Sequence, residues 1–213
     1  MKRTVKEALQ IVAFSVSAVV LVMTACKKTA TVAPNYAGAI DTYYAAHPLC
    51  VWPTPQQFPV QVAHSDQDKT RQFDALVDQG LLTRTSAEKK IIIVSKQMNN
   101  YDISEKGRSA WTADPSQPGY GNFCYGHRKV ASIDSNTPTS DQPGATTTVN
   151  YHYTIDGVPD WAEAPETKIA FPAIQFALSG PKPTTAMLTN TPQGWQLTKT
   201  GNSTTGDDSG VVQ

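Results

Sequence analysis

The strict alternation of apolar and polar positions over residues 146–155 (TTTVNYHYTI) is the strongest pattern in the chain. Thr147, Val149, Tyr151, Tyr153 and Ile155 fall on one face, and Thr148, Asn150, His152 and Thr154 on the other. This predicts a half-buried β-strand. Residues 123–133 predict a second strand with Gly126 at a bulge. Residues 186–191 and 195–199 flank Pro192-Gln193-Gly194 and predict a hairpin. Elsewhere the spacing is helical. Asn35 is placed to cap a helix over 36–46, with Ile40, Tyr43 and Tyr44 on one face and Pro48 beyond its end. Ser65-Asp66-Gln67-Asp68 has the form of a capping box before a helix whose stripe is Phe73, Leu76 and Val77, with Gly80 as its left-handed end. Asp160 is placed to cap a helix interrupted at Pro165 and Pro172, in which Ile169, Ala173, Phe176 and Ala177 keep helical spacing.

Between these segments, residues 50–59 (three prolines) and 111–122 read as loops, and 134–144 as a polar turn. The β-branched run 90–95 (KIIIVS) predicts a strand, Tyr101-Asp102-Ile103 a short partner, and 104–108 a tight turn or helix start. The sum is an α+β fold: an antiparallel sheet of about four strands, helices packed on one side, and a small helix/β-ribbon unit. One domain over 35–199 holds both, with a helix/ribbon half at 35–110 and a β-rich half at 111–199. Residues 200–213, rich in Gly, Ser, Thr and Asp without periodicity, read as a disordered tail. Residues 70–110 (LVDQGLLTRT, a ribbon, then YDISEKGR) resemble the second half of a winged-helix domain. No helix rich in Arg, Asn or Gln precedes Phe73, so the resemblance implies shared architecture and not nucleic-acid binding.

At the N-terminus, Lys2, Arg3 and Lys6 precede an apolar stretch at 11–23, which ends in Met23-Thr24-Ala25-Cys26. A bilayer-spanning helix needs roughly 20 apolar residues, so a transmembrane anchor fits poorly. The segment resembles the signal peptides of bacterial lipoproteins. That resemblance implies removal of residues 1–25, acylation of Cys26, and a polar tether over 26–34. It places the protein at the cell envelope, exported and held to a membrane by lipid. In enteric lipoproteins an Asp after the acylated Cys retains the protein at the inner membrane. Lys27 stands there instead, which implies the outer membrane, facing the periplasm.

The chain carries 18 basic and 18 acidic residues, and loss of residues 1–25 leaves 15 against 17. That balance gives no electrostatic footprint for nucleic acid and no polybasic patch for anionic lipid. With Cys26 taken by lipid, Cys50 and Cys124 remain in an oxidising compartment. They form a disulfide or stay as two buried thiols. No metal or other cofactor is expected.

The chain has no Gly-x-Ser-x-Gly elbow, no Ser-x-x-Lys with Lys-Thr-Gly, and no His-Glu-x-x-His. His127 and His152 lie in strands expected to pair. They could meet there, with Asp134, Asp156 or Asp160 completing an acid–base or metal site, or they lie on a merely wet face. Arg128 and Lys129 face an anionic ligand or form a strand's solvated side. Tyr151, Tyr153 and Trp195 read as core, whereas Tyr120 and Tyr125, beside glycines, are expected at the surface. The candidate ligand-binding residues are therefore Tyr125, His127, Arg128 and His152. The function expected is a membrane-anchored, non-catalytic binding or accessory module whose partner is an envelope protein or a small molecule. The alternative is a lipid-anchored hydrolase built around His127 and His152.

Overall fold

Asn35 opens the first helix as its spacing predicts, accepting a hydrogen bond from the Gly38 N–H at 2.9 Å. The computed structural model describes residues 34–91 and 94–201, and side chains outside 87–96. In chain order the elements are α1 (Tyr36–Ala45), β1 (Leu49–Cys50), β2 (Gln56–Gln57), β3 (Val60–Ala63), α2 (Gln67–Asp78), β4 (Leu82–Ile91) and β5 (Val94–Ile103). There follow α3 (Glu105–Ala110), β6 (Trp111–Ala113), β7 (Tyr120–Asn136), β8 (Thr146–Asp156), α4 (Asp160–Glu163), α5 (Pro165–Ala170), α6 (Pro172–Leu178), β9 (Lys182–Thr191) and β10 (Gly194–Thr200). The predicted signal segment 1–25, the lipid site Cys26, the tether to residue 33 and the tail from residue 202 lie outside the described residues. Thr200, placed in that tail by composition, instead closes β10 and is buried.

The α+β class and the antiparallel sheet stand. The four expected strands are β7–β8–β9–β10, neighbours in that order, but the sheet has seven strands. The extra three, β1, β2 and β6, all pair with β7. They come from segments that read as loops, because strands of two or three residues carry no period to detect. Cys50 sits directly opposite Cys124 in this pairing, and the two form a disulfide. α1 covers one face of β7–β10. Tyr36, Ile40 and Tyr44 pack there on Val149, Tyr151, Tyr153, Ala186, Leu188 and Leu197.

A second core lies under α2 and α4–α6, holding Phe73, Leu76, Tyr101, Phe123, Tyr125, Trp161 and Ile174. β7 serves both cores. Phe123 and Tyr125 enter the second, whereas Arg128 and Val130 meet the first, so the inward positions change from odd to even along one strand. The change falls at Gly126, where the β1 pairing is also irregular. Its φ of +137° and the approach of the Asp156 carbonyl, 2.6 Å from any added Cβ, leave room for glycine alone.

Three local readings are corrected. Asp66, not Ser65, caps α2, accepting from the Lys69 N–H at 3.3 Å. Asp160 is the first residue of α4, and Pro159 holds the cap position with no side-chain bond. The break at Pro165 and Pro172 stands, with each proline opening a new helix. However, the spacing counted across it misleads. Thr167, Ala170, Phe171 and Ile174 are buried, while Ile169 is 68% and Phe176 45% exposed. Each proline resets the helical phase, so a stripe read through it belongs to no single face.

The ribbon unit is a separate three-stranded sheet, β3-β5-β4, followed by α3. The run 90–95 is not one strand. Lys90 pairs with Ser95 and Ile91 with Val94, so it straddles the two arms of a hairpin. Gly80, at φ +72°, turns α2 into β4.

Candidate functional site

Pairing of β7 with β8 sets where the predicted residues stand. His127 lies opposite Asp156, and His152 opposite Ser132. The two histidines share the outward face of adjoining strands but are four positions apart, about 13 Å along the strand, and do not meet. Tyr125, expected at the surface, is 5% exposed and belongs to the second core. Arg128 is 6% exposed. Its guanidinium lies 5.0 Å from the centroid of the Tyr44 ring and 4.9 Å from that of Tyr153, and it donates to the Tyr44 hydroxyl at 3.0 Å. It is a buried cation held between two rings. Lys129 is more than half exposed and pairs with Asp41 of α1 at 3.0 Å, while the other oxygen of that carboxylate accepts from the Val130 N–H.

His152 does have a partner. Its Nδ1 lies 2.8 Å from Asp134 Oδ2, with both side chains about 40% exposed. Ser132 Oγ donates to the other Asp134 oxygen at 3.3 Å, and beside them Asn150 Nδ2 donates to Ser135 Oγ at 2.8 Å. The register slips twice here, between Val130 and Ser132 and between Ile133 and Ser135. Those slips bring Asp134 to His152. Sequence reading raised Asp134 only among three carboxylates, since no spacing rule shows a slip of register. Further across the same face, Thr148, Thr185, Met187, Lys199 and Gly201 line a shallow depression of about 340 Å³. The face is thus open, polar and crossed by short side-chain hydrogen bonds.

A second polar constellation was not foreseen. Asp74 of α2 accepts from the Tyr101 hydroxyl at 2.8 Å and from Arg84 at 2.7 Å. Burial, then Asp74, raises the Tyr101 pKa above its ordinary value. The group pins α2 to the ribbon sheet. Among the described residues, no cluster of three His, Cys, Asp or Glu is placed to hold a metal ion. No helix among them is long and apolar enough to cross a membrane. No protein family, curated protein or solved structure matches this chain.

Proposed function

We propose that the chain is a lipid-anchored envelope protein, attached through Cys26 at the outer membrane, whose outward sheet face is a non-catalytic binding surface. The observation that carries the binding half is the face around Asp134 and His152. No helix among the described residues covers it, and its side chains are already oriented by one another, so a polar partner meets donors and acceptors fixed in place. The anchoring half rests on the sequence of residues 1–26 alone. A small polar ligand or an extended peptide of an envelope protein fits such a face. We read the β3-β5-β4 unit as sharing winged-helix architecture without its nucleic-acid role.

One observation favours a second reading, a hydrolase. A carboxylate on Nδ1 of His152 is the arrangement that orients a general base. Against it, Ser132 donates to Asp134 rather than to His152, and the pair is open to water. The test is a screen of the purified full chain against esters, phosphate esters, peptides and peptidoglycan fragments, scoring turnover and binding together. Binding lost in His152→Ala without turnover supports the binding surface. Turnover abolished by His152→Ala overturns it in favour of the hydrolase.

A further inference from the structure

A sheet edge presents a row of unpaired N–H and C=O groups, and proteins blunt such edges with bulges, short strands or charge. Most edges here are blunted. β10 carries a bulge, with Thr198 unmatched between Leu197 and Lys199. β7 has two slips beyond Val130, and Asp41 of α1 accepts from the Val130 N–H at 2.8 Å. β3 has four residues, and β1, β2 and β6 have no more than three each. β4 differs. It pairs with β5 along its whole length without a slip, and among the described residues no strand pairs with its other edge. Lys89 and Lys90, later in its sequence, are the residue type that guards an edge. The open stretch is therefore 82–86, and within it Thr83, Arg84, Thr85 and Ser86 are exposed.

Which groups face outward follows from the ladder. The His64 N–H donates to the Gln97 carbonyl at 3.0 Å, so Gln97 of β5 turns its main-chain groups toward β3. Main-chain groups alternate sides along a strand. Asn99 and Tyr101 therefore also turn toward β3, and Asn100 and Asp102 toward β4. Their partners Thr85 and Thr83 close the ladder. The Thr83 hydroxyl, which donates to the Asp102 carbonyl at 3.3 Å, agrees with this. Arg84 and Ser86 alternate with these threonines, so they turn N–H and C=O outward. Among the described residues no main-chain partner meets those groups.

We infer that residues 82–86 take an extended, acidic segment of a partner polypeptide as a fourth strand of the β3-β5-β4 sheet. Main-chain bonds at Arg84 and Ser86 hold it, and charge selects it. β4 carries Arg84, Lys89 and Lys90 against Glu88 alone. Arg84 donates through Nη1 to Asp74 at 2.7 Å, and its side chain is 45% exposed. The other donors of its fork are left for a second carboxylate. A second copy of this chain would instead bring the same excess of positive charge to the seam. The edge belongs to a different sheet from the face around His152, and the inference does not depend on the lipid anchor.

The test reads amide hydrogen exchange in the full chain, residue by residue. In the free protein the Thr83 and Thr85 amides are expected to exchange slowly and those of Arg84 and Ser86 fast. The probes are acetylated, amidated peptides of alternating Thr and Val with a single Glu, whose position is stepped along the peptide. The peptide with its Glu in register is expected to slow Arg84 and Ser86 by about fivefold or more, the worth of one hydrogen bond. Ser86→Pro removes an outward N–H and spares the ladder. It is expected to keep the circular dichroism and melting temperature of wild type while weakening the peptide by about fivefold or more. Lys in place of the peptide's Glu is expected to weaken binding by a similar factor in wild type, and by less in Arg84→Gln. Fast exchange at Thr83 and Thr85 with slow exchange at Arg84 and Ser86 overturns the inference. So does a peptide series that leaves Arg84 and Ser86 unchanged, or binding that is equal in Ser86→Pro or equal for the Lys peptide. Self-association of the free chain that Ser86→Pro abolishes overturns it in favour of a second copy.

Discussion

The side chain of Asn122 satisfies both main-chain groups of Trp52: Oδ1 accepts from the Trp52 N–H at 3.2 Å, and Nδ2 donates to the Trp52 carbonyl at 2.7 Å. Asn122 is buried, and this pairing fastens the chain to β7 between the short ladders of β1 and β2. Trp52 then packs on Phe58, Phe73 and Phe123. Asn122→Ala removes both bonds and leaves the Trp52 groups to find water, at a cost of about 2 kcal/mol. Urea denaturation measures the loss, and limited proteolysis is expected to nick the variant first between residues 51 and 59.

The Cys50–Cys124 bridge closes a loop with a sequence separation of 74. Replacing both cysteines by alanine lowers stability by about 4 kcal/mol in the chain-entropy treatment. Equilibrium unfolding of wild type with and without a dithiol reductant is expected to show a drop of the same size, and the alanine pair no response to reductant.

Arg128 divides the core reading from a ligand reading. Packed between Tyr44 and Tyr153, it contributes through its stem and its planar charge. Arg128→Ala is expected to cost about 2–4 kcal/mol, and Arg128→Lys about half of that, because an ammonium cannot stack on two rings. Thermal melts of the three proteins check the order. A variant as stable as wild type would return Arg128 to the candidate ligand site.

His152 and Asp134 call for the opposite outcome. Both are exposed by about two-fifths, and their pairing at the surface contributes little to folding. His152→Ala and Asp134→Ala are expected to lie within about 0.5 kcal/mol of wild type. Any loss of binding in these variants then belongs to the site and not to unfolding.

Alkaline pH should unfold the protein through its buried tyrosines. Burial raises the pKa of Tyr151 far above its ordinary value, with Tyr44 adding to the effect, and burial likewise raises Tyr101. With a folded value above the unfolded one, the proton is held more tightly in the folded state. Stability is therefore full below about pH 10 and falls as pH rises beyond it, by up to about 1.4 kcal/mol per unit for each such group. Tyr151→Phe is expected to remove one share of that slope. Tyrosinate absorbance and circular dichroism, followed together from neutral to alkaline pH, check it.

Period and punctuation made part of this legible. The alternation in β8 survives residue by residue, with Thr147, Val149, Tyr151 and Tyr153 all buried. Asn35, Gly80, Gly126, Pro165 and Pro172 each do what their backbone chemistry requires. Three things escaped. Short strands such as β2 take their existence from a partner, so Gln56 and Gln57 give no sign of it alone. The histidines were separated by the register that sets His127 opposite Asp156, and Asp134 was recruited by slips farther along; both belong to the pairing of two strands and to neither strand singly. Arg128 looked solvated beside His127 and Lys129 because a bulge at Gly126 reversed which residues turn inward after it.

That reversal gives β7 something akin to a reading frame. Its two stretches contribute to different cores, and one residue count between them sets both in phase. A single-residue insertion or deletion between Tyr125 and Arg128 would leave Phe123 and Tyr125 at home while turning Arg128 and Val130 to water. Length is therefore held as tightly as identity in this short stretch, and the two halves of the domain are kept in step by arithmetic along one strand.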